Sequence, residues 1–165
     1  IARHHDRFAP ASTGNKGETV RRIYGVGGAR GQAEAAFPHV TDVALPMLHA
    51  SRARGDSETA AQLNALLAVM AGLDDTCLLA RGGPAALAAA QTGAKAVLHA
   101  GGAGTDTGRA ALRELDADLL ARGVSPGGAA DLLAATLLLD RLAHPNHRIT
   151  PQLQVTEAQH GTTAF

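Results

Sequence analysis

From Glu58 onward, Leu63, Leu66, Leu67, Met70 and Leu73 recur at intervals of three and four. That spacing lines one face of an α-helix and neither face of a strand. It returns between Pro84 and His99, through Leu87, Ala90, Ala94, Val97 and Leu98. It returns again between Thr107 and Arg122, through Leu112, Leu115 and Leu119. Breakers separate these runs. The first helix, capped by Asp56 or Ser57, should weaken near Asp74; RGGP at 81–84 then supplies glycines to end one element and Pro84 to open the next. Gly101, Gly102 and Gly104 form a loop, and Gly123 stops the third helix. A fourth should open with Ser125 as N-cap and Pro126 at the first helical position, and end before Pro145. Val40 to Ala53 also reads as helix, kinked or restarted by Pro46. No β-rich run interrupts the pattern, so the class is all-α, and the short loops favour an antiparallel helical bundle.

Three regions follow: an irregular N-terminal segment over 1–30, a helical domain over 31–144, and a flexible tail over 145–165. Alanine dominates the inward positions, and at about 25 cal/mol per Å² an alanine contact stabilises far less than a leucine contact. The core is therefore expected to be partial, an incomplete version of a larger all-helical domain. A homo-oligomer could cover some of its open face.

Charge and composition exclude several functions. Fifteen basic residues balance fifteen acidic ones, so no broad cationic footprint points to nucleic acid or an anionic membrane. Aromatics are 2% with no Trp, too few for base-stacking platforms. A single cysteine, Cys77, precludes an internal disulfide and suits a reducing cytoplasm. No run reaches the roughly 18 apolar residues of a spanning helix, and IARHHDRFAP lacks the apolar stretch of a signal peptide. A soluble, cytoplasmic chain is expected.

Three clusters could carry chemistry. In LDDTCLLARGG, Asp74 and Asp75 stand where an apolar helix ends. Adjacent acids are poorly placed at a helix C-terminus, which leaves either a solvated end compensated by Arg81 or a carboxylate directed into a cleft. In SPGGAADLLAATLLLD, Gly127 and Gly128 precede Asp131. Ser, Pro and Asp are explained by capping, but a Gly pair costs about 1 kcal/mol per residue relative to Ala. Close backbone approach and an anion site on free N–H groups would explain it. In YGVGGARGQAEAAFPHV no strand precedes the glycines, so neither a Rossmann nor a P-loop fingerprint is present. Arg30 could nevertheless reach a phosphate, as could Lys16, Arg21 or Arg22.

The runs GARGQAEAAFPHV, ALPML, DDTCLLARGG and SPGGAADLLAATLLLD, in this order, resemble the triphosphoribosyl-dephospho-coenzyme A synthases that serve malonate decarboxylase and citrate lyase. The resemblance covers about residues 14–142 and leans toward the malonate decarboxylase branch. It implies a helical pentosyltransferase with ATP and dephospho-CoA as substrates. The triphosphoribosyl group of ATP would pass to the 2′-hydroxyl of dephospho-CoA, releasing adenine and making the prosthetic-group precursor of an acyl carrier subunit. Glycosidic cleavage passes through an oxocarbenium-like state that a carboxylate stabilises, while another takes the acceptor proton. The triphosphate calls for cations and Mg²⁺, which takes one or two carboxylates together with phosphate oxygens and water. Asp74, Asp75 and Asp131 are the implied catalytic and Mg²⁺-binding acids. Arg30, Arg81 and Lys16 are the implied phosphate partners, and Ser125, Gly127 and Gly128 present the backbone to the ligand.

The family's N-terminal TPKPGLVD-like and GAHxDM-like elements have no counterpart here, and STGNKG at 12–17 resembles a contracted GVNTHKG. The chain is thus expected to be the C-terminal part of such an enzyme. The alternative is a truncated, inactive helical remnant that at most binds a nucleotide or a partner chain. Other signals have plain readings. His4, His5 and Asp6, and His144 with His147, invite a metal reading, but short His pairs in polar, loop-like ends are read as solvated surface, and no CxxC or HExxH pattern supports a metal site. Cys77, Met47 and Met70 are read as core fillers, and RARGDSE at 52–58 as a solvated loop and helix start.

Overall fold

The computed structural model describes residues 16–144. The expectations for His4, His5, Asp6, His147 and the tail over 145–165 fall outside those residues. Among the described residues the chain is all-α, without strands. Its helices are α1 (Lys16–Tyr24), α2 (Gly28–Glu34), a π-helical turn (His39–Ala44) continuing into α3 (Leu45–Ala53), α4 (Glu58–Met70), α5 (Thr76–His99), α6 (Asp106–Ala121) and α7 (Gly127–Ala143).

Helix α4 is the centre. Ala60, Ala61, Asn64, Ala65, Leu67, Ala68, Val69 and Met70 are all buried, so the helix is enclosed around most of its circumference. Helix α3, the π-helical turn, α5 and α7 pack around it, while α1 and α6 lie on α5 and α2 lies on α7. Leu48, Leu67, Leu78 and Leu132, from four different elements, meet in one core. Each fully buried leucine stabilises the fold by about 1.5–3 kcal/mol. The small residues Ala86, Ala90 and Ala94 bring α5 close to its neighbours. On the outer side of α7, Leu138 and Leu142 stand one turn apart and exposed.

The helix boundaries follow local chemistry. Ser57 caps α4 by accepting the Ala60 N–H, and Thr105 caps α6 by accepting the Gly108 N–H. Pro46 sits in the first turn of α3, where its missing N–H is tolerated, so it restarts the helix after the π-helical turn. At Gly83 the backbone turns to φ 65° and ψ −167°, and α5 kinks there before Pro84 carries it on. That conformation is open to glycine and strained for other residues.

Four expectations need correction. Residues 16–24 and 28–30, read as irregular, belong to helices α1 and α2, and Val20 and Gly28 are buried. Asp74 and Asp75 do not end α4; it stops at Met70, and Asp75 is the N-cap of α5. Ser125 does not cap α7, whose N-cap is Pro126 with no side-chain hydrogen bond. In RARGDSE, Arg52 belongs to the last turn of α3 and is tied to Glu58 rather than solvated.

Candidate active site

The DDTC turn is built by two sequence-distant runs lying in register. Asp75 is only 2% exposed. One of its carboxylate oxygens accepts the Cys77 N–H at 2.8 Å, capping α5. The other accepts the Ala129 N–H at 2.9 Å, in the first turn of α7. A single carboxylate therefore satisfies N–H groups at the starts of two helices, where negative charge is favoured. Moving outward, Gly127 faces Cys77, Ser125 Oγ accepts a hydrogen bond from Arg81 at 2.9 Å, and Val124 faces Gly82. Residues 75, 77, 81 and 82 thus meet 129, 127, 125 and 124 in antiparallel order.

This register explains the glycines. A Cβ on Gly127 would lie 2.8 Å from Cys77 Sγ, and one on Gly128 would lie 3.0 Å from an Asp75 oxygen. A Cβ on Gly82 would lie 2.9 Å from Val124 Cγ1. The start of α2 closes in from another side, because a Cβ on Gly28 would lie 2.7 Å from Thr76 Cγ2. The beginnings of α2, α5 and α7 therefore converge on residues 75–77.

The first-turn N–H groups of α7 are engaged by the chain itself. Gly127 donates to the Ser125 carbonyl, Ala129 to Asp75 and Ala130 to the Pro126 carbonyl. The Gly128 N–H interacts with the Cys77 sulfur. The Gly pair thus serves the close approach of two protein segments, and Asp75 is a buried clamp.

The exposed polar groups around this clamp are Asp74, Asp131, Arg81 and Ser125. Asp131 is the fifth residue of α7. Burial, followed by the Asp75 charge, pushes the Cys77 thiol above its ordinary value. The Gly128 N–H and Arg81 oppose that rise, and Asp131 adds to it. Arg81 and Asp131 therefore act electrostatically on the same half-buried sulfur. Arg30 is exposed two residues beyond Gly28 and pairs with Glu34 at 3.0 Å. Lys16 is exposed at the start of α1, the helix that lies on α5. Asp74, Asp75 and Asp131 do not form a ready-made trio of ligands. Among the described residues, only His49, Asp140 and His144 bring three potential metal-binding atoms within 4.8 Å of one another.

That second cluster was missed in the sequence, apart from His144, which was read as solvated. Asp140 closes the apolar run LLLD on the inward side of α7 and is 4% exposed. An acid in phase with buried Leu132 and Thr136 was the available signal. His49 and Arg52 come from α3, one turn apart, and reach it across the fold.

Residues 2–149 match the model of the family described as ATP:dephospho-CoA triphosphoribosyl transferase. The chain is 57% identical over 143 residues to the 2-(5''-triphosphoribosyl)-3'-dephosphocoenzyme-A synthase of Klebsiella pneumoniae, covering 87% of this chain and 51% of that protein. It is 59% identical over 125 residues to a probable synthase of the same description from Pseudomonas putida, covering 76% of this chain and 45% of the relative. For the probable synthase of Azotobacter vinelandii the identity is 54% over 142 residues, with 86% and 49% covered. The chain spans about half the length of the curated relatives it matches. No solved structure matches it.

Proposed function

Because the chain belongs to the ATP:dephospho-CoA triphosphoribosyl transferase family, we propose that it carries the site that joins the triphosphoribosyl group of ATP to dephospho-CoA. The 2′-hydroxyl of the acceptor ribose attacks C1′ of the ATP ribose. The C1′–N9 bond breaks, and adenine leaves with the proton the hydroxyl gives up. The product is the prosthetic-group precursor for the acyl carrier protein of malonate decarboxylase or citrate lyase. The supporting observation is the register between DDTC–RGG and VSPGG, which surrounds the buried Asp75 clamp with exposed Asp74, Asp131, Arg81 and Ser125.

The residues divide by access. Asp74 and Asp131, both exposed, are the carboxylates able to meet a ligand. One would hold Mg²⁺ with the triphosphate oxygens, and the other would accept the acceptor proton or face the developing positive charge on the ribose. One carboxylate with phosphate oxygens and retained waters suits Mg²⁺, and the bound ion would neutralise triphosphate charge. Asp75, with both oxygens occupied by N–H donors, holds these groups in place. Arg81 is steadied by Ser125, and Arg81, Arg30 and Lys16 are the cations for the phosphates. No helix among the described residues is long and apolar enough to cross a membrane. An inactive remnant is not favoured by identities of 57% and 59% to synthases.

The test is to incubate the 165-residue chain with MgATP and dephospho-CoA and to follow free adenine and the adduct by mass spectrometry. Both should appear, and both should be lost in Asp131→Asn. A folded chain that releases no adenine, or an Asp131→Asn variant with unchanged turnover, would overturn the assignment.

A further inference from the structure

The far end of α7 carries a second polar centre that the transfer chemistry does not use. Asp140 is buried, and its oxygens meet groups from two helices. His49 Nε2 lies 2.8 Å from Oδ1, Arg52 donates at 3.0 and 2.9 Å to the two oxygens, and His144 Nδ1 lies 3.6 Å from Oδ1. Arg52 is itself held by Glu58 through two 2.8 Å bonds, and Gln62 donates to Glu58 at 2.9 Å.

From this geometry we propose that His49 Nε2, Asp140 Oδ1 and His144 Nδ1 form a binding site for a Zn²⁺-class divalent cation. Bond lengths of about 2.0–2.1 Å in a tetrahedral site put neighbouring donor atoms about 3.3 Å apart. The observed 2.8 and 3.6 Å straddle that value, and His144 Nδ1 would exchange its 3.2 Å contact with the Asp140 backbone carbonyl for the ion. The two rings stand nearly perpendicular, at 89° with centroids 5.7 Å apart, so their nitrogens approach from different directions. Both imidazoles are about half exposed, which gives the ion a way in and leaves a position for water.

Charge favours a cation. Asp140 and Glu58 carry two negative charges against the single charge of Arg52. Arg52 reaches both Asp140 oxygens, at 2.9 Å to Oδ2 and 3.0 Å to Oδ1, so on binding an ion it would keep Oδ2 and yield Oδ1. The donor set also selects the kind of ion. Two imidazoles and one carboxylate suit Zn²⁺, Co²⁺ or Ni²⁺, whereas Mg²⁺ prefers an octahedral oxygen shell. The site is therefore separate in place and chemistry from one that would bind MgATP. It would tie α3 to the C-terminal end of α7.

The experiment is a Zn²⁺ titration of the full chain in competition with a chromophoric chelator, repeated with Co²⁺ to read its visible ligand-field absorption. One equivalent should bind in the micromolar range or tighter, and excess Mg²⁺ should not displace it. His49→Gln and His144→Gln, both at exposed positions, should each weaken binding tenfold or more and abolish the tetrahedral Co²⁺ spectrum. The chain has eight histidines and one cysteine, so a His4→Gln/His5→Gln/His147→Gln variant and Cys77→Ser serve as controls that should retain the ion. Absence of binding would overturn the proposal. So would binding that survives both His49→Gln and His144→Gln, or that is lost in either control.

Discussion

Asp75 and Ala129, 54 residues apart in sequence, are joined by a 2.9 Å hydrogen bond from the Ala129 N–H to the buried carboxylate. The same carboxylate caps α5 through the Cys77 N–H. Removing it strands one buried and one half-buried donor at once. Asp75→Ala should lower unfolding stability by about 2–4 kcal/mol, the sum of a lost cap and an unsatisfied buried group. Asp131→Asn, at an exposed position, should change stability by less than about 0.5 kcal/mol while stopping adenine release. Urea unfolding of the two variants beside the adenine assay separates the clamp from the chemistry.

The glycine pair should behave against helix propensity. Alanine is favoured over glycine in a helix by about 1 kcal/mol, yet Gly128→Ala places a methyl 3.0 Å from one oxygen of a carboxylate held by two hydrogen bonds. A net destabilisation of about 1–3 kcal/mol is expected. Gly127→Ala meets the Cys77 thiol at 2.8 Å instead. Cys77→Ala should therefore recover part of its loss and none of the loss in Gly128→Ala, a coupling that a double-mutant cycle by chemical denaturation would measure.

Acid should loosen the packing of α3 on α4. The hydrogen bond from Arg52 holds the Glu58 carboxyl below the ordinary value of 4.5, against the opposing effect of burial. A depressed folded value means the unfolded chain takes up the proton first. The stabilisation is therefore complete above pH 4.5 and is lost as pH falls through the lower folded value. Glu58→Gln should reduce stability at neutral pH and narrow its difference from the parent chain at about pH 3. Thermal midpoints of both proteins across that range provide the check.

One helix ends on a residue that does not suit its backbone. After α2, Phe37 N–H donates to the Gln32 carbonyl and Ala36 N–H to the Ala33 carbonyl, and Ala36 takes φ 65°. This is the pattern in which glycine normally occupies the left-handed position, as Gly123 does after α6 at φ 64°. Ala36→Gly relieves the Cβ strain, worth about 1–2 kcal/mol, at the expense of added unfolded-state entropy. A net gain of about 0.5–1 kcal/mol in urea unfolding is expected.

How much was legible depended on the range of the interactions. Leu67, Met70, Leu73, Ala90, Ala94, Val97, Leu115 and Leu119 were read as inward from spacing alone, and all are buried. The start of α4, the end of α6 and the break at Gly83 were likewise local matters, set by side chains and dihedrals within a few residues. The family could be recognised because its motifs are contiguous. The purpose of the motifs was not legible. Gly127 and Gly128 look ligand-directed until Cys77 and Asp75 are placed against them. Asp75 looks equivalent to Asp74 until one is found buried and the other exposed. Asp140, His49 and Arg52, some 90 residues apart, carry no local mark of their association. The sequence by itself determined the all-helical class, most of the helices from Glu58 onward and the family they belong to, because propensity, periodicity and capping act over a few residues. Only the tertiary structure decided which carboxylates are exposed to a ligand and which are buried structural groups, because burial and hydrogen-bond partnership arise when distant segments pack together.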